Sequence, residues 1–151
     1  MIHKTHIVIH HSLTEDSGTV SAAAIQRYHM EVQGWRDVGY HAFVELVGDP
    51  AKLGRAYAYQ ALLGRPADEP AAAVKEGGMN VQGLHLCLVG NFDLAAPSED
   101  MLQVAARRVV IPWMRTWGIP AESIVGHHDF APYKSCPGKL FDLEQLRRLV
   151  R

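Results

Sequence analysis

The run His6-Ile7-Val8-Ile9-His10-His11 is short, β-branched and apolar at its centre, the pattern of a buried strand. Gly39 to Val47 and Leu84 to Val89 read as two more strands, the latter strongly apolar. Between the first two strands the spacing turns helical. Ile25, Tyr28, His29 and Val32 form an i, i+3, i+4, i+7 stripe, with Thr19 as a cap, a run to about Gln33, and Gly34 as the stop. Ser98 follows Pro97 and precedes Glu99 and Asp100, so a helix is expected to start there with its acids at the positive end of the dipole. That helix should bury Leu102, Ala105 and Val109, and Pro112 should kink or break it before Trp113 and Trp117. Ser123-Ile124-Val125 reads as a brief last strand, and Asp142 as the cap of an amphipathic helix carrying Leu143, Leu146 and Leu149. The stretch from Gly48 to Gly83 is less regular. Arg55 to Tyr59 reads as a strand and Arg65 to Lys75 as a loop with a short helix. Such alternation predicts an α/β protein, a single domain with a central mixed β-sheet flanked by helices. It does not say which strands pair parallel.

Composition narrows the class. A chain of 151 residues, 48% hydrophobic and 21% charged, fits one compact globular domain. The formal net charge of −1, with no Lys/Arg run, gives no electrostatic footprint for nucleic acid. Ile7-Val8-Ile9 is too short for a signal peptide core and nothing later reaches a membrane span, so the expectation is synthesis in the cytoplasm and no membrane partner. Two cysteines make no disulfide framework. Cys87 sits in an apolar run and reads as a buried free thiol, whereas Cys136 lies in a polar, proline-bounded loop. Nine histidines are an excess that points weakly toward chemistry.

The chemistry concentrates in residues 125–138, where His127, His128, Asp129, Lys134 and Cys136 crowd a loop broken by Pro132, Pro137 and Gly138. Zinc binds neutral imidazole and thiolate, and a catalytic zinc keeps three protein ligands plus a water. One His and one Cys from this loop leave a ligand to find, and His10-His11 is the natural donor. Neighbours on a strand point to opposite faces, so only one of that pair enters a shared site while the other packs or braces. A Cys–His nucleophile pair is the rival reading of the same residues.

The segments IVIHHS, GWRDVGYHAFV, LCLVGNFD and GHHDFAPYKSCPG resemble, in order, the motifs of the type 2 N-acetylmuramoyl-L-alanine amidases. That family includes the small amidase-type lysozymes of phages and is related to the peptidoglycan recognition proteins. The resemblance runs from about His6 to Asp142. It implies a zinc ion held by His10, His127 and Cys136 in a cleft at one edge of the sheet, with Tyr40 and Lys134 as catalytic residues. It further implies hydrolysis of the amide between N-acetylmuramic acid and L-alanine in peptidoglycan. On this reading residues 1–151 form a single catalytic domain without a separate wall-binding domain, acting as a monomer. A phage or prophage lysis enzyme released through a membrane pore is the expected setting. A wall-recycling amidase of the cytoplasm and a non-catalytic peptidoglycan-binding module are the alternatives. Two departures stand out. The His127 to Cys136 spacing is one residue longer than in small phage lysozymes, with Tyr133 as the insertion, and Ala73 falls where relatives carry a cleft histidine. Asp129 is expected to orient a ligand imidazole or to be a solvated carboxylate, His128 to pack or brace, His29 to pack, and Trp35 and Trp113 to pack or to line a sugar-binding surface.

Overall fold

The computed structural model describes residues 2–13, 39–48 and 58–151. The helix expected from Thr19 to Gln33, with His29, and Trp35 beyond it lie outside the described residues. Strands β1 (His6–His11), β2 (Ala42–Leu46), β3 (Tyr59–Leu63), β4 (Gly83–Leu88) and β5 (Ile124–Gly126) form a sheet of order β3-β2-β4-β1-β5. β1 runs parallel to both β4 and β5, and β2 is parallel to β4 but antiparallel to β3. The expected mixed sheet is therefore present, and its pairings are now fixed.

Register assigns each side chain to a face, because residues side by side on paired strands share one. Val8 lies beside His85 and Val125, while His10 and Phe43 both flank Cys87. These residues make one face. Ile7, Ile9, Ala42, Val44, Leu84, Leu86, Leu88 and Ile124 make the other, and all are buried. The second face carries the main core, closed by Met101, Leu102, Ala105, Val109 and Leu146 from the helices.

Helix α1 (Met79–Gln82) leads into β4 through a tight turn at Glu76–Gly78, whose two glycines take positive φ. Helix α2 (Glu99–Ala105) starts as expected, the Ser98 hydroxyl accepting from Met101 N–H at 3.1 Å. Pro112 does not end the helical course of the chain. The turn ahead of it, Ala106–Val110, widens to i→i+5 bonding and the chain continues as α3 (Ile111–Trp117). Widening relieves the clash a proline ring makes with the preceding turn, so the helix bends its hydrogen-bond ladder rather than ending. Trp113 packs against the main core. Helix α4 (Leu143–Val150) is capped by Asp142, which accepts from Glu144 N–H at 3.0 Å.

Two expectations need correction. The strand placed at Arg55–Tyr59 is observed at Tyr59–Leu63, with residues 55–57 outside the described ones. Gln60, Ala61, Leu62 and Leu63 have helical propensity, yet antiparallel pairing with β2 holds them extended. No helix forms between Arg65 and Lys75, and the helical turns fall just after, at Glu76–Gln82. That loop is instead tethered by Lys4, which is 1% exposed and donates to the carbonyls of Glu69, Val81 and Gly83 at 3.2, 2.8 and 3.3 Å. Among the described residues no helix is long and apolar enough to cross a membrane.

Leu86 sits in β4, inside the sheet, with no exposed surface. Leu86→Ala is expected to cost about 2–5 kcal/mol, as truncations in well-packed cores do. The urea midpoint of unfolding measures it, and a loss below about 1 kcal/mol would place the stabilising core elsewhere.

Candidate metal centre

His10 is the penultimate residue of β1, which lies between β4 and β5, and His127 begins the short helical turn after β5. Cys136 comes from the loop beyond, before a cis bond to Pro137. One donor atom from each of these residues lies within 4.8 Å of the other two. Cys136 Sγ stands 3.7 Å from His10 Nδ1, and the His10 and His127 ring centroids are 5.0 Å apart. The cluster thus occupies the carboxyl ends of two adjacent parallel strands, beside the β5 edge, the usual place for a ligand in such sheets.

Local packing explains how the loop reaches back. Gly126 N–H donates to Asp129 Oδ2 at 2.8 Å, closing the turn that aims His127 inward. A Cβ at Gly126 would meet Pro137 Cδ at 2.7 Å and the His128 ring at 2.8 Å, so this position admits only glycine without rearrangement. His128 donates from its backbone N–H and from Nδ1 to the Cys136 carbonyl, at 2.8 and 3.1 Å. It braces the cysteine rather than joining it. Asp129 Oδ1 lies 3.3 Å from His128 Nε2, so the carboxylate attends the bracing histidine, and the expectation that it orients a ligand imidazole is not met.

The strand parity argument holds. His11 faces the main core, stacked on Phe92, with Nδ1 accepting from Phe92 N–H at 3.0 Å. Its backbone N–H donates to Cys136 Sγ at 3.4 Å.

Electrostatics suits a cation. Burial, reinforced by the imidazoles of His85 and His127, holds His10 well below the usual histidine range, so it is neutral. Burial and then the Lys134 ammonium lower His127 as well. The Cys136 thiol is pushed up to about 12 by burial, opposed in part by the His11 N–H. Without a cation this sulfur keeps its proton; a bound metal would draw it off, since metal ligands are deprotonated. Neutral imidazole lone pairs and a soft sulfur in a closed triangle fit zinc by their chemistry.

The remaining predicted residues border this cluster. The Tyr40 ring lies 5.0 Å from the His10 ring, tilted by 51°. Burial raises its phenol far above the usual value, so at neutral pH it is a hydrogen-bond donor. Lys134 and His127 line a cleft of about 450 Å³ with Ala72, Ala73, Lys75, Glu76, Asn80 and Tyr133. Ala73 thus stands in the cleft where the resemblance expects a histidine. The Tyr133 hydroxyl donates to Glu76 Oε1 at 2.6 Å and holds that carboxyl below its ordinary value.

Sequence reading missed two histidines. His85, fully buried in β4, lies 2.9 Å through Nδ1 from His10 Nε2. His41 accepts through Nδ1 from His85 backbone N–H and donates from Nε2 to the Glu69 carbonyl, both at 2.9 Å. The available signal was a lone imidazole inside Leu84-His85-Leu86-Cys87-Leu88, where every neighbour is apolar.

The profile of the N-acetylmuramoyl-L-alanine amidases matches residues 3–139. The chain belongs to that amidase family. An endolysin of Enterobacteria phage K11 is 33% identical over 140 residues, covering 91% of this chain and 81% of the phage protein. Among solved structures, the amidase LysC from Clostridium intestinale superposes with a TM-score of 0.72 at 20% identity, covering 97% of this chain and 85% of LysC. Bumblebee PGRP-SA gives 0.73 at 24% identity, covering 95% and 81%. These two likenesses concern the fold, and they agree with the amidase-family sheet formed by β1 to β5.

The face assignment has a test in the paired histidines. His10→Ala is expected to abolish stoichiometric metal uptake. His11→Ala should retain uptake while costing about 1–3 kcal/mol, because Phe92 N–H loses its buried acceptor. Metal analysis and denaturation of both variants decide; equal metal loss from the two would contradict the assignment.

Proposed function

We propose that this chain is a zinc-dependent hydrolase that cuts the amide between N-acetylmuramic acid and L-alanine in peptidoglycan. The observation that carries this reading is the convergence of His10, His127 and Cys136 beside the cleft that Lys134 lines and close to Tyr40. Zinc held by those donors supplies Lewis acidity that activates water and polarises an amide carbonyl. The chain's own residues do the rest. The Tyr40 phenol, kept protonated by burial, donates a hydrogen bond to the carbonyl oxygen as negative charge gathers there. The Lys134 ammonium adds a positive charge from the cleft that His127 also lines. The C–N bond breaks, the water oxygen stays on the lactyl carbonyl carbon, and a proton passes to the L-alanine nitrogen.

A metal-free cysteine nucleophile fits poorly. The Cys136 thiol at about 12 is almost wholly protonated at neutral pH, and a thiol attacks weakly. The endolysin relatives support a lysis role for a phage or prophage, and release to the wall through a membrane pore is the route this reading proposes. Residues 1–151 work in this reading as one catalytic domain and a monomer.

Cys136→Ala is expected to lose zinc and wall cleavage together, and a chelator should silence the wild type until zinc is restored. Tyr40→Phe and Lys134→Ala should keep zinc and bind purified walls, but lose about 10²–10³-fold in turnover, the cost of one preorganised oxyanion donor. The loss should fall on kcat more than KM, because the interaction strengthens only as charge develops. Kinetics on a muramoyl-peptide, with metal analysis of each variant, provide the check. A Tyr40→Phe variant at the wild-type rate would reduce Tyr40 to a packing aromatic.

A further inference from the structure

We infer that His85 is a positioning residue for the metal centre, locking His10 in the one tautomer that can bind a metal. This rests on the proposed ligand set of His10, His127 and Cys136. The chain of donors and acceptors has a single solution. The Met79 carbonyl can only accept, so His85 Nε2, 2.6 Å away, carries the proton and donates to it. His85 has no exposed surface, and a buried imidazole whose ring partners are a carbonyl and a second imidazole is neutral, so its Nδ1 is left as a lone pair. His10 Nε2, 2.9 Å from that lone pair, must then donate. With one proton on this buried ring already committed at Nε2, His10 Nδ1 is left unprotonated and facing Cys136 Sγ at 3.7 Å. The backbone of α1 thus sets the protonation of a ligand two imidazoles away.

The surroundings are shaped for this relay. His85 has no exposed surface, so water cannot substitute as a partner. A Cβ on Gly83 would lie 2.8 Å from both His85 Nε2 and the Met79 carbonyl, so glycine at that position leaves room for their bond. The far side of His85 is also fixed, its backbone N–H donating to His41 Nδ1. A histidine used only as filler would not need both ring nitrogens satisfied in this order. Leucine would fill the same space in an apolar strand.

Removing the relay frees His10 to adopt the other tautomer, which places a proton on the ligand atom and opposes metal binding. His85→Leu is expected to weaken zinc binding about 10–100-fold, the usual cost of losing a partner that orients a ligand. His85→Gln, whose amide can accept from His10 and donate to Met79, should lie nearer the wild type than leucine does. Zinc affinity is read by chelator competition, and the geometry by the absorption of the cobalt-substituted proteins. Imidazole nitrogen NMR on the metal-free wild type gives an independent reading and needs no variant to fold. Both His10 and His85 should appear as the Nε2–H form.

A wild type that takes up no zinc would overturn the ligand set, and this inference with it. Wild-type zinc binding matched by His85→Leu, or His10 found as the Nδ1–H form, would overturn the role of His85 alone.

Discussion

Everything in the centre depends on β1 being an extended strand held between two parallel neighbours. Extension sends His10 and His11 to opposite faces, and pairing with β4 and β5 on either side prevents the one-residue slip that would exchange them. A slip would put His11 beside Cys136 and bury His10 against Phe92. The apolar residues Ile7 and Ile9 oppose this most strongly, since they too would change faces and leave the main core. Hydrophobic burial of two isoleucines thereby decides which histidine joins His127 and Cys136.

Much of the site was legible because its residues combine unusual chemistry with strong local constraint. Parity and donor chemistry asked for one histidine of His10-His11 and for one histidine with Cys136 from the proline-bounded loop, and the family resemblance chose His10 and His127. Their motifs and order then supplied Tyr40 and Lys134. His85 escaped because its meaning is not local. In the sequence it is one polar residue in an apolar strand, and its partners His10 and Met79 meet it only through the β1–β4 register and the turn of α1. Asp129 misled for the complementary reason. A carboxylate two residues from a proposed ligand suggests support for that ligand, but the tight turn closes it onto Gly126 N–H and His128 instead.

The fold shows the same split between local and tertiary signals. Helix starts at Ser98 and Asp142 were readable, since a cap is written within four residues. β3 was misplaced because its residues favour helix and become a strand only by lying beside β2. Of the kink or break expected at Pro112, the break does not occur. A proline forbids a normal α-turn, but a widened turn one step earlier satisfies the same steric demand.

The two faces of the sheet also divide what mutation can reach. The main core, with its helices, lies on one face, while His10, His85 and Cys87 lie on the other with the donors of the cleft. Chemistry and architecture are therefore separable in this scaffold. A lineage, or a protein engineer, can replace the side chains of that cluster and still inherit a folded groove of the same outline. The shape that makes the chain a cutter is then available as a reader of whatever surface the groove fits.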